Sequence, residues 1–233
     1  VTPPLPAPTP TTILWDVDGT LLFNAAAGGG ALYHLAVEEA VGRELSPPLP
    51  RAHGKTDGQI LFEILDAFDY PAERQPEALA RLDALSVARH EAGERRVIAP
   101  GVPEALAAMA ERGFMNALLT GNSATRTRVK LEGAGLDPAL FDWSRSYFGG
   151  SARVRSEITL AARAGIPGER LVIIGDTPRD DEAARAAGMP FIAVATGVYT
   201  VEELRETTAV VVVADLAHGL PAVLDALDEL DAA

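Results

Sequence analysis

The chain of 233 residues contains no cysteine, which excludes disulfides, thiolate metal sites and thiol nucleophiles. A chain without thiols is at home in a reducing cytoplasm, the expected location. Lysine is nearly absent as well. Lys55 and Lys130 stand against eighteen arginines, so a site that ordinarily uses lysine has to draw on arginine. No apolar run approaches the roughly 20 residues that a membrane span needs. Positive charge is the minority, and the net charge of −13 argues against nucleic acid or an anionic membrane as a partner. The first ten residues are half proline and lack the basic start and apolar centre of a secretory signal. Residues 1–11 are therefore expected to form a disordered, proline-rich tail.

With 48% hydrophobic and 23% charged residues, the chain can build one sizeable core and a smaller accessory domain. Five apolar runs read as strands: Thr12–Val17, Phe114–Leu119, Leu171–Ile174, Phe191–Val194 and Val210–Val213. Near-continuous apolar runs suit strands buried on both faces of a parallel sheet, and their alternation with helical patterns predicts a doubly wound, Rossmann-like α/β core. Helix starts are visible at Val102-Pro103, at Ser123 and in the capping box Thr200-Val-Glu-Glu203. The segment 24–96 breaks the rhythm. It shows helical stretches at Ala31–Val41, Asp57–Phe68 and Pro76–Glu91, divided by the proline-rich Ser46–Pro50, and no strand. This predicts an all-helical domain inserted into a core formed by 12–23 and 97–233, with a hinge at Asn24 and the Ala25–Gly30 run.

The first strand runs straight into Asp16-Val-Asp18-Gly-Thr-Leu-Leu22. Chance produces D-x-D-G-T at roughly 10⁻⁵ per position, and the carboxyl end of a strand is where open α/β sheets bind ligands. Two carboxylates so placed suit phosphoryl transfer. One attacks phosphorus and forms an aspartyl-phosphate; the other protonates the leaving alkoxide and then deprotonates water. Two anions facing a phosphate dianion require a cation, for which Mg²⁺ is the expected choice. The second run ends in Thr120-Gly121-Asn122-Ser123, whose hydroxyl and N–H groups can hold phosphate oxygens, although an ordinary turn with an N-cap reads the same way. The third ends in Gly175-Asp176-Thr-Pro-Arg-Asp180-Asp181. There Asp176 is a candidate metal ligand and Asp180 a candidate to orient it, or both serve an acid-rich helix start. Arg153 and Arg155, ahead of the preceding helix, can neutralise phosphate.

Taken together these motifs resemble the haloacid dehalogenase superfamily in its phosphatase branch, over Thr12 to Asp215. The resemblance implies Asp16 as nucleophile and Asp18 as acid/base. It implies Thr120, Gly121 and Asn122 as the phosphate-binding turn, and Mg²⁺ held by Asp16, the Asp18 carbonyl and Asp176. The helical insertion resembles the family's cap. The third motif departs from the pattern: Arg155, and after it Arg153, stands where relatives carry a lysine, while Lys130, on the helix after the second motif, reads as a surface residue or as a more distant source of that charge. Asp18 disfavours a dehalogenase or a phosphonatase, which lack an aspartate there. In His53-Gly-Lys55-Thr56-Asp57-Gly-Gln59, Lys55 is a candidate cap contact to substrate, and Thr56-x-x-Gln59 is equally a capping box. The expected substrate is a small phosphorylated metabolite of the phosphoglycolate or sugar-phosphate type. A phosphomutase and a non-catalytic member of the fold are the alternatives, and the expected state is monomer or homodimer.

Overall fold

The computed structural model describes residues 10–23, 30–45 and 54–232. Six parallel strands form one sheet: β1 (Thr11–Trp15), β2 (Met115–Thr120), β3 (Tyr147–Phe148), β4 (Arg170–Gly175), β5 (Phe191–Val194) and β6 (Val211–Val213), in the order β3-β2-β1-β4-β5-β6. After β1 the chain winds to one side through β2 and β3, and then returns to the other side through β4, β5 and β6. The switch falls at β1, so a crevice opens at the carboxyl ends of β1, β2 and β4.

Alternation along each strand explains the continuous apolar runs. Ile13 and Trp15 of β1, Leu118 of β2, Val172 and Ile174 of β4, and Ile192 and Val194 of β5 face one core. Leu14, Ala117, Leu119, Leu171, Ile173, Phe191 and Ala193 face the other. Both faces are covered by helices, as a parallel sheet requires. The first core is closed by α4 (Val102–Glu111) and α9 (Leu216–Ala232), and the second by α6 (Arg155–Gly165) and α7 (Pro178–Ala186).

Between β1 and α4 lie, among the described residues, three α-helices, α1 (Gly30–Val41), α2 (Asp57–Ala67) and α3 (Gln75–Glu91), with a hydrophobic core of their own that includes Val37, Leu61, Leu65 and Leu82. The chain leaves and re-enters the main body side by side. Phe23 N–H donates to the Val97 carbonyl (2.8 Å), and Ala99 N–H donates to Leu21 (2.9 Å). The remaining helices are α5 (Ala124–Ala134), after β2, and α8 (Val201–Leu204), whose Thr200–Glu203 capping box is formed in full.

Two expectations need correction. The Arg170 N–H donates to the Pro10 carbonyl (2.9 Å), and Thr11 already belongs to β1. Pro10 and Thr11 therefore belong with the sheet and not with the tail expected over residues 1–11, of which residues 1–9 lie outside the described residues. The sheet also has a strand that the apolar runs did not reveal. β3 is two residues long and half-buried at the sheet edge, too short to leave a hydrophobic signature. The hinge at Asn24 and Ala25–Gly29, the Ser46–Pro50 run and His53 lie outside the described residues.

Candidate active site

Asp16 follows β1 directly, its N–H donating to the Ile174 carbonyl of β4 at 2.9 Å. The strand pairing therefore fixes its position, and its carboxylate is 5% exposed as a residue. Gly19, at φ +89°, lets the chain turn away, and a Cβ there would lie 2.2 Å from Asp176 Oδ2. Only glycine fits both requirements. Thr196, after β5, donates its hydroxyl to the Gly19 carbonyl (2.6 Å) and pins the turn from the far side. Nothing in the sequence marked Thr196 or its neighbour Gly197, where a Cβ would meet Asp176 Oδ2 at 1.7 Å. Gly19 and Gly197 thus form a cradle of bare backbone around the Asp176 carboxylate.

Carboxylate oxygens of Asp16, Asp176 and Asp180 lie within 4.8 Å of one another. Arg155, at the start of α6, reaches into this group. Its Nη2 donates to Asp16 Oδ1 (2.7 Å) and to the Leu119 carbonyl (3.1 Å), and its Nε pairs with Asp180 Oδ1 at 2.7 Å. Arg153 points elsewhere, with its guanidinium 3.6 Å from the Phe62 ring centre on α2. The geometry therefore brings Arg155, and not Arg153, to the nucleophile candidate.

Asp180 is engaged on both sides. Its Oδ1 meets Arg155 as an ion pair without a hydrogen bond among the described residues, while its Oδ2 accepts the Thr177 N–H (3.0 Å) and Thr177 hydroxyl (2.8 Å), completing the capping box that starts α7. Asp176 is left with one long bond, from the Thr20 hydroxyl at 3.4 Å, among the described residues. Three buried carboxylates share one guanidinium, an imbalance of charge that suits a divalent cation bound by oxygen. Asp16 and Asp176 are free to ligate, with Asp180 holding Arg155 behind them. The donor set fits Mg²⁺.

The charges respond to this crowding. Burial, outweighing Arg155 and helped by Asp180, pushes the Asp16 carboxyl up to about 7. Burial and the neighbouring Asp16 and Asp180 push Asp176 well above its ordinary value. A raised carboxyl pKa means that the folded chain holds protons that the unfolded chain has already released. Without metal, this part of the stability is present below pH 4 and is lost as pH rises through about 7. Thermal melts of the metal-free protein are expected to show the site's contribution falling from pH 5 to pH 8. Mg²⁺ is expected to raise the melting temperature more at pH 8 than at pH 5. Equal Mg²⁺ shifts at both pH values would remove these carboxylates from the metal site.

The second half of the site is built by the turn after β2. Thr120 Oγ1 accepts from the Asn122 N–H (3.3 Å) and from Asn122 Nδ2 (2.9 Å), so its own proton is left to donate outward. The Asn122 amide is committed inside the protein: Nδ2 also donates to Asp18 Oδ2 (2.8 Å), and Oδ1 accepts from Lys130 Nζ (2.7 Å). Any phosphate contact by Asn122 must come from its backbone. Lys130, on α5, reads in sequence as a surface residue, yet its side chain is 10% exposed and its ammonium pairs with Asp18. Burial opposes the Asp18 charge, but Lys130 and Asn122 outweigh it and hold the carboxyl below its usual range.

The helical insertion closes over this turn. A Cβ on Gly121 would lie 2.5 Å from the Lys55 carbonyl, and one on Gly54 would lie 2.6 Å from Arg179 Cδ. The Asp57 N–H donates to the Gly121 carbonyl (2.7 Å), and its carboxylate accepts the Ser123 N–H (2.7 Å). Asp57 is also paired with Arg126 of α5, and both touch the Tyr33 hydroxyl, at 2.7 and 2.8 Å. The Lys55 ammonium pairs with Glu63 of α2 at 2.5 Å, while Thr56 caps α2 by accepting from Gln59 N–H (3.0 Å). Lys55 thus approaches the turn after β2 through its backbone, with its charge held by the insertion itself.

Known proteins share this architecture. The chain is similar to the probable phosphatase IndB of Dickeya dadantii, 26% identical over 220 residues covering 86% of this chain and 88% of that one. It is 28% identical over 225 residues to a phosphoglycolate phosphatase of Pseudomonas syringae pv. tomato, covering 93% and 80%. Its fold matches the crystal structure of β-phosphoglucomutase from Clostridium difficile with a TM-score of 0.62 at 16% identity, over 95% of this chain and 99% of that one. A model of HAD-like hydrolases matches residues 156–219. The model of the haloacid dehalogenase-like hydrolase family matches residues 13–185, from the first strand past the last carboxylate of the site, and the chain belongs to that family.

Proposed function

We propose that the chain is a Mg²⁺-dependent phosphatase acting on a small phosphorylated metabolite, of the phosphoglycolate or sugar-phosphate type, through an aspartyl-phosphate on Asp16. The observation that carries this reading is the pairing of two differently treated aspartates. Asp16 sits on Arg155 at 2.7 Å beside Asp176, and Asp18 is held by Lys130 and Asn122 across the crevice. Relatives named as phosphatases support the same reaction class.

In the first step an Asp16 oxygen bonds to phosphorus while the bond from phosphorus to the leaving oxygen breaks. The leaving oxygen takes a proton from Asp18, whose carboxyl the incoming phosphate dianion makes easier to protonate against the pull of Lys130. The Thr120 hydroxyl, the Gly121 N–H and, on giving up its long bond to Thr120, the Asn122 N–H hold the equatorial oxygens, and Arg155 offsets the anionic charge at the Asp16 end. In the second step water bonds to phosphorus, gives its proton to Asp18, and the Asp16–phosphorus bond breaks. Asp16, Asp176 and the Asp18 carbonyl would hold Mg²⁺, which would supply charge neutralisation for the phosphoryl group. The insertion, seated on Gly121 and Ser123, excludes bulk water from the crevice.

Phosphate release from a panel of phosphorylated metabolites, with and without Mg²⁺, tests the reading. Mg²⁺-dependent release without any added bisphosphate supports it. Dependence on a sugar bisphosphate with little free phosphate would make the acceptor a sugar hydroxyl and the chain a phosphomutase. Asp18→Asn is expected to lose roughly 10²–10⁴-fold in kcat, the usual worth of a positioned acid/base; a near-normal rate would remove Asp18 from this role. Among the described residues no helix is long and apolar enough to cross a membrane. A cytoplasmic monomer or homodimer is part of the same proposal.

A further inference from the structure

Lys130 is a buried cation that the reaction as described does not use. It lies on α5, seven residues beyond the N-cap Ser123, and points back along the helix toward the mouth of β1. Its ammonium touches Asp18 Oδ2 and Asn122 Oδ1, the latter at 2.7 Å. Asn122 Nδ2 donates to the same Asp18 oxygen at 2.8 Å. Both partners therefore converge on Oδ2. The other oxygen, Asp18 Oδ1, is buried without a hydrogen-bond partner among the described residues.

A carboxylate has two chemically equal oxygens, and a general acid works only when the protonated one faces the leaving group within hydrogen-bond reach. From this asymmetry we propose that Lys130 is the positioning residue for Asp18. With Asn122, it ties down Oδ2 and fixes the carboxylate rotation, so that Oδ1 alone carries the proton to the leaving oxygen. Asn122 extends the brace to Thr120 at 2.9 Å, which places the proton carrier and the phosphate-binding hydroxyl on one rigid frame. Rigid placement matters here because an error of about 1 Å at a reacting group costs about 10²-fold. Arg155 holds the Asp16 side of the site, so the two buried cations divide the two aspartates between them. This assignment rests on the proposed phosphatase reaction, with Asp18 as its acid.

The test uses kcat/KM, which reports the first chemical step, on two substrates. They are p-nitrophenyl phosphate, whose leaving group departs without protonation, and the alkyl phosphate that the wild type turns over fastest. Lys130→Met is expected to lose about 10²-fold on the alkyl phosphate and less than about threefold on the aryl one, with the melting temperature retained. In an Asp18→Asn background the same change is expected to cost nothing further on the alkyl phosphate, since two residues acting as a unit are not additive. Equal losses on both substrates, a rise in KM alone, or an undiminished loss in the Asp18→Asn background would overturn the positioning role. A Lys130→Met protein that fails to fold is replaced by Lys130→Gln under the same criteria. A wild type inactive on every alkyl phosphate would refute the phosphatase reading itself.

Discussion

Replacing Asp16 with asparagine is expected to abolish turnover, with a loss of about 10⁴-fold or more, as for other catalytic nucleophiles. The change keeps the size and planarity of the side chain but removes the negative oxygen that bonds to phosphorus. It also exchanges the ion pair with Arg155, 2.7 Å away, for a neutral hydrogen bond. Asp16 is only 5% exposed and burial raises its pKa, so the asparagine form relieves a buried charge and should fold at least as well as wild type. Steady-state kinetics alongside thermal melts separate the two effects. Substantial Mg²⁺-dependent activity in a well-folded Asp16→Asn protein would remove Asp16 from the chemistry.

Asp57→Ala is expected to cost the largest share of stability of any single change at the interface of insertion and core. Asp57 and Arg126 have side chains 2% and 5% exposed. Burial works against the Arg126 charge, but Asp57 and Tyr33 more than offset it and hold its pKa above the ordinary value. Removing the carboxylate leaves a buried, unpaired guanidinium, an error worth about 3–5 kcal/mol. It also frees the Ser123 N–H that Asp57 accepts at 2.7 Å, at the turn that would bind phosphate. The double variant Asp57→Ala/Arg126→Met is expected to be more stable than Asp57→Ala alone, because no orphaned charge remains. Urea denaturation of the three proteins gives the comparison. A double variant no more stable than Asp57→Ala alone would show that the pair is not the source of the loss.

Much of this arrangement was legible in the chain, for identifiable reasons. β1, β2, β4 and β5 carry apolar residues toward both sheet faces because both are covered, and Asp16 and Asp176 follow β1 and β4 immediately. The Asp16–Asp18 pair and Asp176 could therefore be placed at strand ends before any coordinates. Arg155 was legible as the alternative to a scarce lysine, although only its reach to Asp16 separates it from Arg153, which lies over Phe62.

What escaped depends on contacts between distant segments. Lys130 carries no local mark, since a lysine on a helix is usually solvated. The available signal was spacing: Ser123, Arg126, Thr127 and Lys130 follow at three, four and seven residues and share a face of α5, the face turned toward the site and the insertion. Asp57 belongs to the stretch singled out for Lys55 and Thr56, but its pairing was hidden because its partner Arg126 lies 69 residues away. Thr196 and Gly197 sit in a loop without a motif, and their role is visible only because Asp176 fills the space that a side chain on Gly197 would need. Asn122 lies in the turn after β2 that the sequence singles out, but its amide braces Asp18, Thr120 and Lys130, so a direct side-chain contact to phosphate is not available to it.

The measurement closest to the central claim is an acid quench of a single turnover with substrate labelled in its phosphoryl group, followed by mapping of the labelled peptide. Acid-stable, base-labile label is expected on the peptide that contains Asp16, formed at a rate no slower than phosphate release and absent from Asp16→Asn. Label on a peptide without Asp16, or rapid single-turnover release of phosphate with no label ever bound at Asp16, would contradict it.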